Sequence, residues 1–352
     1  MTKYIKGRGA QLNTPDPYAK FSRGLLRPDQ ADLEDGCLRN SQYQMVYPKS
    51  IVNEVKSPDV GMEFSINPYQ GCEHGCVYCY ARNTHPYWGF SAGLDFESKI
   101  MVKSNAPDLL HHHLSNPGWK ARPIVLSGNT DCYQPAESKF KLTRGLLKIF
   151  HDFRHPVGVI TKNALIQRDT DILTELSKDN LVKVILSVTT LDEDLRQKLE
   201  PRTSSIKKRL QTIAHLAKEG IPVAVMVAPI IPGINDHEVM EIVRICSLMG
   251  ARTAGYTIVR LNGDVQTIFS DWLSLSFPDR KEKVLSKISS CHGGQVNDSR
   301  FGKRMRGEGK IAEIIRDQFK LAVAKYMNAE PPVVLNTELY EKYRSPQLLI
   351  DF

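Results

Sequence analysis

The stretch INPYQGCEHGCVYCYAR, Ile66 to Arg82, spaces Cys72, Cys76 and Cys79 as Cys-x-x-x-Cys-x-x-Cys and holds three of the chain's seven cysteines. Pro68 and Gly71 just ahead of them predict a sharp turn, so the three thiols sit on one short loop and can converge on one metal centre. The other four, Cys37, Cys132, Cys246 and Cys291, are widely scattered, which fits reduced thiols better than a disulfide framework. Spacing alone leaves two readings open. A structural zinc site wants a fourth ligand, which His74 or His85 is placed to supply. An iron–sulfur cube normally takes four cysteines; with three, one iron keeps a position open for a small molecule, as catalysis requires.

Around this loop the chain alternates short runs rich in β-branched residues with longer amphipathic segments. The runs are EFSI (63–66), PIVLS (123–127), VGVIT (157–161), VKVILSV (182–188), PVAVMV (222–227) and GYTIVR (255–260). Helical patterns lie between them at about 105–115, 136–152, 168–178, 192–218 and 236–249. This alternation predicts a parallel sheet wound by right-handed crossovers, with six strand–helix units. Chemistry in such folds sits at the carboxyl ends of the strands. The residues there are polar or conformationally special: the cysteine loop, then SGNTD (127–131), TKN (161–163), SVTT (187–190), APIIPG (228–233) and RLN (260–262).

Composition narrows the class further. Of 352 residues, 41% are hydrophobic and 24% charged, close to soluble globular averages. No apolar run approaches the roughly 20 residues needed to span a membrane. The N-terminal MTKYIKGRGA lacks the apolar core of a secretory signal, so a cytoplasmic protein with no membrane partner is expected. A net charge of +8 suits a polyanionic partner. The excess gathers in SRFGKRMRGEGK, where Arg300, Lys303, Arg304, Arg306 and Lys310 face one acid, Glu308.

The spacing, Tyr78 just before the last cysteine and the six units that follow resemble the radical S-adenosylmethionine superfamily, and within it the spore photoproduct lyase-related, DNA repair photolyase-like group. The resemblance covers about Ile66 to Arg260. It implies an α/β fold, a partial (βα)6 TIM-like barrel with N- and C-terminal extensions. It also implies a 4Fe-4S cluster on Cys72, Cys76 and Cys79 that binds S-adenosyl-L-methionine at its open iron. One electron from the reduced cluster, supplied by an electron donor, then cleaves the cofactor to methionine and a 5′-deoxyadenosyl radical that takes hydrogen from a substrate, here expected to be DNA or another nucleic acid. Radical modification of a peptide, protein or tRNA is the alternative reaction, and a zinc-stapled binding module without turnover is the alternative class.

Residue by residue, the resemblance makes Tyr78 the adenine-side neighbour and Tyr80 a hydrogen-relay phenol. Thr130, beside Asp131, would meet the methionine end of the cofactor and Lys162 its carboxylate; Ser187 would meet the ribose and Ala228 the adenine. The chain departs from the lyase at the hydrogen-donating cysteine, whose position three residues before Asp131 is Gly128 here. Cys132 is then the candidate thiol for the same cavity, and the departure puts the thymine-dimer reaction itself in doubt.

The expected partition is an irregular extension over 1–60, the barrel over 61–264, a helical and basic region over 265–330, and a linker and tail over 331–352. The last six residues resemble the bacterial sliding-clamp-binding peptide, with Gln347, Leu348, Ile350 and Phe352 as the anchors. The His111–His113 run falls in a helical pattern, where consecutive residues point apart and cannot share a metal.

Overall fold

The computed structural model describes residues 4–15, 41–327 and 333–344. Its strands are β1 (Gln42–Val46), β2 (Val52–Glu54), β3 (Phe64–Ile66), β4 (Tyr69–Gln70), β5 (Lys99–Lys103), β6 (Ile124–Leu126), β7 (Val157–Thr161), β8 (Val182–Ser187), β9 (Val223–Ile230) and β10 (Thr253–Ile258). Each of the six apolar runs forms a strand, and together with β2 they make a seven-stranded sheet in the order β10-β9-β8-β7-β6-β3-β2. All its pairs are parallel except β2 with β3. This is the partial barrel of six parallel strands that the resemblance implied. The strands read as near-continuous apolar runs because helices cover one face and packed side chains fill the other. Val159, Val184 and Val225 from the sheet meet Leu146, Phe150, Leu173 and Ile213 from the helices in the main core.

Two of the expected helices are broken, for local reasons. The 136–152 pattern splits into Ala136–Phe140 and Leu142–Asp152, with Lys141 between them at φ +54°. The 192–218 pattern splits into Glu193–Leu199 and Ile206–Lys218. Pro201 lies in the gap; it lacks a backbone donor and pushes the residue before it out of the helical region. Glu200 accordingly takes φ −142°, ψ 61°, and is turned off the helix into the site.

The expected irregular extension contains structure. Residues of β1 pair in parallel with β5, and β4 pairs antiparallel with β5, forming a second sheet in the order β1-β5-β4. Gln42 pairs with Lys99, a contact too distant along the chain for local pattern to announce. The region after about 264, expected to be helical and basic, opens with a helix. It spans Asp264–Ser276, buried through Val265, Ile268, Phe269, Trp272 and Leu273, a helical spacing that the sequence does carry.

Part of the expected linker is held in place. Asn336 N donates to Asn180 O at 2.9 Å, and the Tyr340 hydroxyl, on the helix Glu338–Arg344, donates to Leu114 O at 2.5 Å. Asn180 and Leu114 precede β8 and β6, so this segment seals the amino ends of the strands. Gln347, Leu348, Ile350 and Phe352 lie outside the described residues, as does Cys37. No helix among the described residues is long and apolar enough to cross a membrane.

Candidate cluster and cofactor site

The cysteine loop follows β3 and the short β4, and its glycines are where the turn needs them: Gly71 at φ +79° and Gly75 at φ +69°. Its backbone is tied on several sides. Cys72 N donates to Phe96 O at 2.8 Å and Val77 N to Leu199 O at 3.1 Å. The Gln134 side chain donates to Gly71 O and accepts from Glu73 N, both at 3.0 Å.

Arg82, fully buried, donates through Nε to Cys76 O at 2.9 Å, through Nη1 to Ala92 O and Gly93 O, and pairs through Nη2 with Glu97 at 2.5 Å. Glu97 also accepts from Gly9 N at 3.0 Å and Ala10 N at 2.7 Å, so the N-terminal segment closes over the back of the loop. Its approach is so close that a Cβ on Gly9 would overlap the Gly75 carbonyl oxygen.

Cys72 and Cys76 are buried and Cys79 is half-buried, and none is in a disulfide. Burial pushes all three thiols up, and Asp131, then the neighbouring Cys76 and Cys79, add to the effect at Cys72. Three neutral thiols within electrostatic reach of one another suit a group that brings its own positive charge, because coordination to metal deprotonates a thiol outright. The donor set therefore fits a cluster. His74 is not free to complete a zinc site: Nδ1 faces Asp131 at 3.3 Å and Nε2 faces Asn163 Nδ2 at 3.3 Å. His85 is buried against Phe90 and Phe96, each ring centroid 5.5 Å away.

The carboxyl ends of the strands bring most of the expected residues together. Asp131 accepts from Thr161 Oγ1, Tyr133 N and Lys162 N, each at 2.8 Å, and faces His74, joining the ends of β6 and β7 to the cysteine loop. Burial alone would raise its carboxyl, but His74 and the backbone donors outweigh it and hold the group below its ordinary value. The Thr130 hydroxyl donates to Tyr69 O at 2.6 Å. Lys162 Nζ lies 6.0 Å from the Tyr78 ring centroid and acts electrostatically on Cys76 and Cys79. Ser187 is buried, its carbonyl accepting from Arg209 at 3.0 Å, and Ala228 O accepts from Thr189 at 3.1 Å.

Beneath Tyr78 lies a buried charge pair whose role the sequence did not reveal. Glu200 accepts from the Tyr78 hydroxyl, from Thr189 at 2.7 Å and from Arg209 at 2.5 Å. Burial would raise this carboxyl, yet Arg209 and then Lys162 hold it down to about 2, so it stays charged. The available signal was the proline break that frees Glu200 from its helix.

Tyr80 is 47% exposed and donates its hydroxyl proton to Gly128 O at 2.7 Å. A Cβ on Gly128 would come within 2.6 Å of the Ser65 Cβ, so position 128 has no room for the lyase's cysteine. Cys132 does not take its place at the open strand ends. Its side chain is fully buried in the main core, and burial pushes its thiol well up. Cys291 likewise packs in the main core.

Residues 66–246 match the Radical SAM superfamily. An uncharacterized protein of Mycobacterium tuberculosis is 31% identical over 259 residues, 73% of this chain and 75% of that protein. A radical SAM Nalpha-GlyT isomerase of Pseudomonas phage M6 is 26% identical over 172 residues, 49% of this chain and 34% of that protein. A spore photoproduct lyase variant solved with bound AdoMet and dinucleoside spore photoproduct aligns with a TM-score of 0.61 at 15% identity, covering 92% of this chain and 89% of its own. At that identity the likeness is one of fold. The family match removes the reading of the cysteines as a zinc staple without turnover. A family match across half the chain, taking in the three-cysteine loop after the first parallel strand, means that this chain belongs to the Radical SAM superfamily and is a radical SAM enzyme whose cofactors are a 4Fe-4S cluster and S-adenosylmethionine.

Proposed function

We propose that this enzyme acts on nucleic acid, taking hydrogen from a nucleotide held at the carboxyl ends of the strands, with Tyr80 as the hydrogen relay. The observation that carries the reading is the setting of Tyr80. Its half-exposed phenol follows the ligand Cys79 directly, and the nearby Arg260 and Arg304 guanidiniums give the same mouth a positive field. The name of a relative by fold, a lyase bound to a dinucleoside photoproduct, supports the choice of substrate class.

In this reading Cys72, Cys76 and Cys79 hold the cluster, and Arg82 with Glu97 fixes their loop. Bound together, the cluster and S-adenosylmethionine supply a one-electron cleavage that yields a carbon radical able to take hydrogen from a substrate. Lys162 offers a cation to the cofactor's carboxylate, and the polar groups of Thr130 and Ser187 line the approach. Glu200 holds Tyr78 through its hydroxyl. The buried surroundings keep competing hydrogen donors and oxidants from the reacting atoms. Direct reversal of a thymine dimer by the lyase's cysteine route is not part of the proposal, because Gly128 and Cys132 offer no accessible thiol.

The test is anaerobic turnover of reconstituted enzyme with S-adenosylmethionine, a reductant and single- or double-stranded DNA, RNA or mixed peptides, read as 5′-deoxyadenosine by mass spectrometry. Stimulation by DNA or RNA supports the proposal; stimulation by peptide alone overturns it. Tyr80→Phe is expected to keep its iron and still cleave the cofactor, while product falls at least about tenfold, as loss of a transfer group implies. The tail adds a second proposal, docking to a sliding clamp through Gln347, Leu348, Ile350 and Phe352. Removal of 347–352 should abolish clamp binding without changing iron content.

A further inference from the structure

We propose that the segment Val296–Gly309 is a gripping surface for single-stranded polynucleotide, laid across the lateral opening of the partial barrel. This rests on the nucleic-acid reading and says where the strand is held.

A sheet of six parallel strands does not close on itself, and its edges here are β10 and β2. The basic segment spans from one edge to the other. On the β10 side, Ile258 N donates to Met305 O and Leu261 N to Val296 O, each at 2.9 Å. Arg306 donates to Tyr256 O at 2.9 Å, with its guanidinium 4.2 Å from the centroid of that ring. On the other side, Gly302 N donates to Asp59 at 2.6 Å and Arg304 bonds Asp59 and Ser57, both on the connection from β2 to β3.

Both the charge and the aromatic content of this bridge fit a polynucleotide. Arg300 and Lys303 are half exposed and share Glu308, Arg300 also pairing with Asp298; with Arg260, Arg304 and Arg306 the bridge gathers five cations against Asp298, Glu308 and Asp59. Arg260, which follows β10, is shifted down by burial and then by the nearby Arg304, whose own partner is Asp59. Two guanidiniums beside one carboxylate leave a positive charge that a phosphodiester would neutralise through paired hydrogen bonds. Phe301 stands 59% exposed with Arg304 4.5 Å from its ring centroid, an aromatic face among cations. A base stacks on such a face, and an acidic peptide gains nothing from it. Because Met305 and Arg306 bond Ile258 and Tyr256 near the carboxyl end of β10, a strand lying on the bridge passes beside the carboxyl ends of the strands.

The experiment is fluorescence anisotropy of the anaerobic holoenzyme with labelled single-stranded DNA, single-stranded RNA and a polyglutamate peptide, at two salt concentrations. Phe301→Ala and Lys303→Gln, both at exposed positions, are expected to weaken oligonucleotide binding about three- to tenfold. Lys303→Gln should also lower the salt dependence by about one unit of slope. Asp59→Asn, which removes the carboxylate competing for Arg304, is expected to tighten binding. If the wild type binds oligonucleotides and Phe301→Ala and Lys303→Gln bind equally well, the bridge is not the surface, and the nucleic-acid reading survives. If the wild type binds neither polynucleotide, both fall together. Polyglutamate binding as tight as oligonucleotide binding, unaffected by Phe301→Ala, would reassign the surface to acidic peptide and overturn the proposal. Iron content and melting temperature equal to wild type establish that each variant is folded.

Discussion

Arg82 and Glu97 show how much a single buried pair can carry. The pair is fully buried and bonded to the backbone of the cysteine loop, of residues 92–93 and of the N-terminal segment. Replacing one member leaves the other as an uncompensated buried charge, which costs about 3–5 kcal/mol. Glu97→Gln is therefore expected to melt lower by that equivalent and to retain less iron after reconstitution, measured by calorimetry and metal analysis. His155 carries a different kind of residue-scale consequence. Its Nδ1 donates to Pro156 O at 3.0 Å and its Nε2 accepts from Trp119 Nε1 at 3.1 Å, so the neutral ring is fully used. Burial, with His113 nearby, lowers its pKa from 6.5 to about 3. A folded pKa below the unfolded one means that stability is complete above about pH 6.5 and is lost as pH falls toward 3. At pH 4 the loss is about 3 kcal/mol. A pH series of denaturant melts would read it, and His155→Gln should flatten the slope between pH 6 and pH 4.

At the scale of elements, the cysteine loop is held by pieces from distant parts of the chain. The loop's own residues were legible: three cysteines, the turn glycine Gly71 and the aromatic Tyr78 marked it out in the chain. The clasp that holds it was not legible, because Gly9 meets Gly75 only in the folded chain. Gly9→Ala forces an overlap with a carbonyl that is itself tied into the loop. We expect a loss of about 1–3 kcal/mol, and faster bleaching of the cluster's visible absorption in air than in wild type. Helix boundaries show the same division. The amphipathic period marked 192–218 correctly as helical territory, and the position of Pro201 within it was plain. What could not be read was that the freed Glu200 would meet Arg209 and Tyr78.

For the whole molecule, two bridges complete a barrel that its strands leave open. One is the basic segment between β10 and the connection from β2 to β3. The other is the C-terminal segment, which places the buried Tyr340 against His155 at a ring-centroid distance of 5.1 Å and beneath the amino ends of the strands. Tyr340→Ala removes a fully buried ring and its hydrogen bond to Leu114 O, so a loss of about 3–5 kcal/mol is expected. A melting curve of the apoprotein measures it, and unchanged stability would mean that the segment does not seal the barrel. Sequence by itself determined the class of chemistry and the six parallel strands, because thiol spacing and β-branched periodicity are local properties of the chain. Tertiary structure alone decided that Cys132 belongs to the core, that Gly128 has no room for a thiol and that Glu200 stays charged beneath Tyr78. It also decided where the basic segment lies. Each of these depends on which distant groups share a volume, and the solvation, crowding and charge that settle them exist only once the chain has closed.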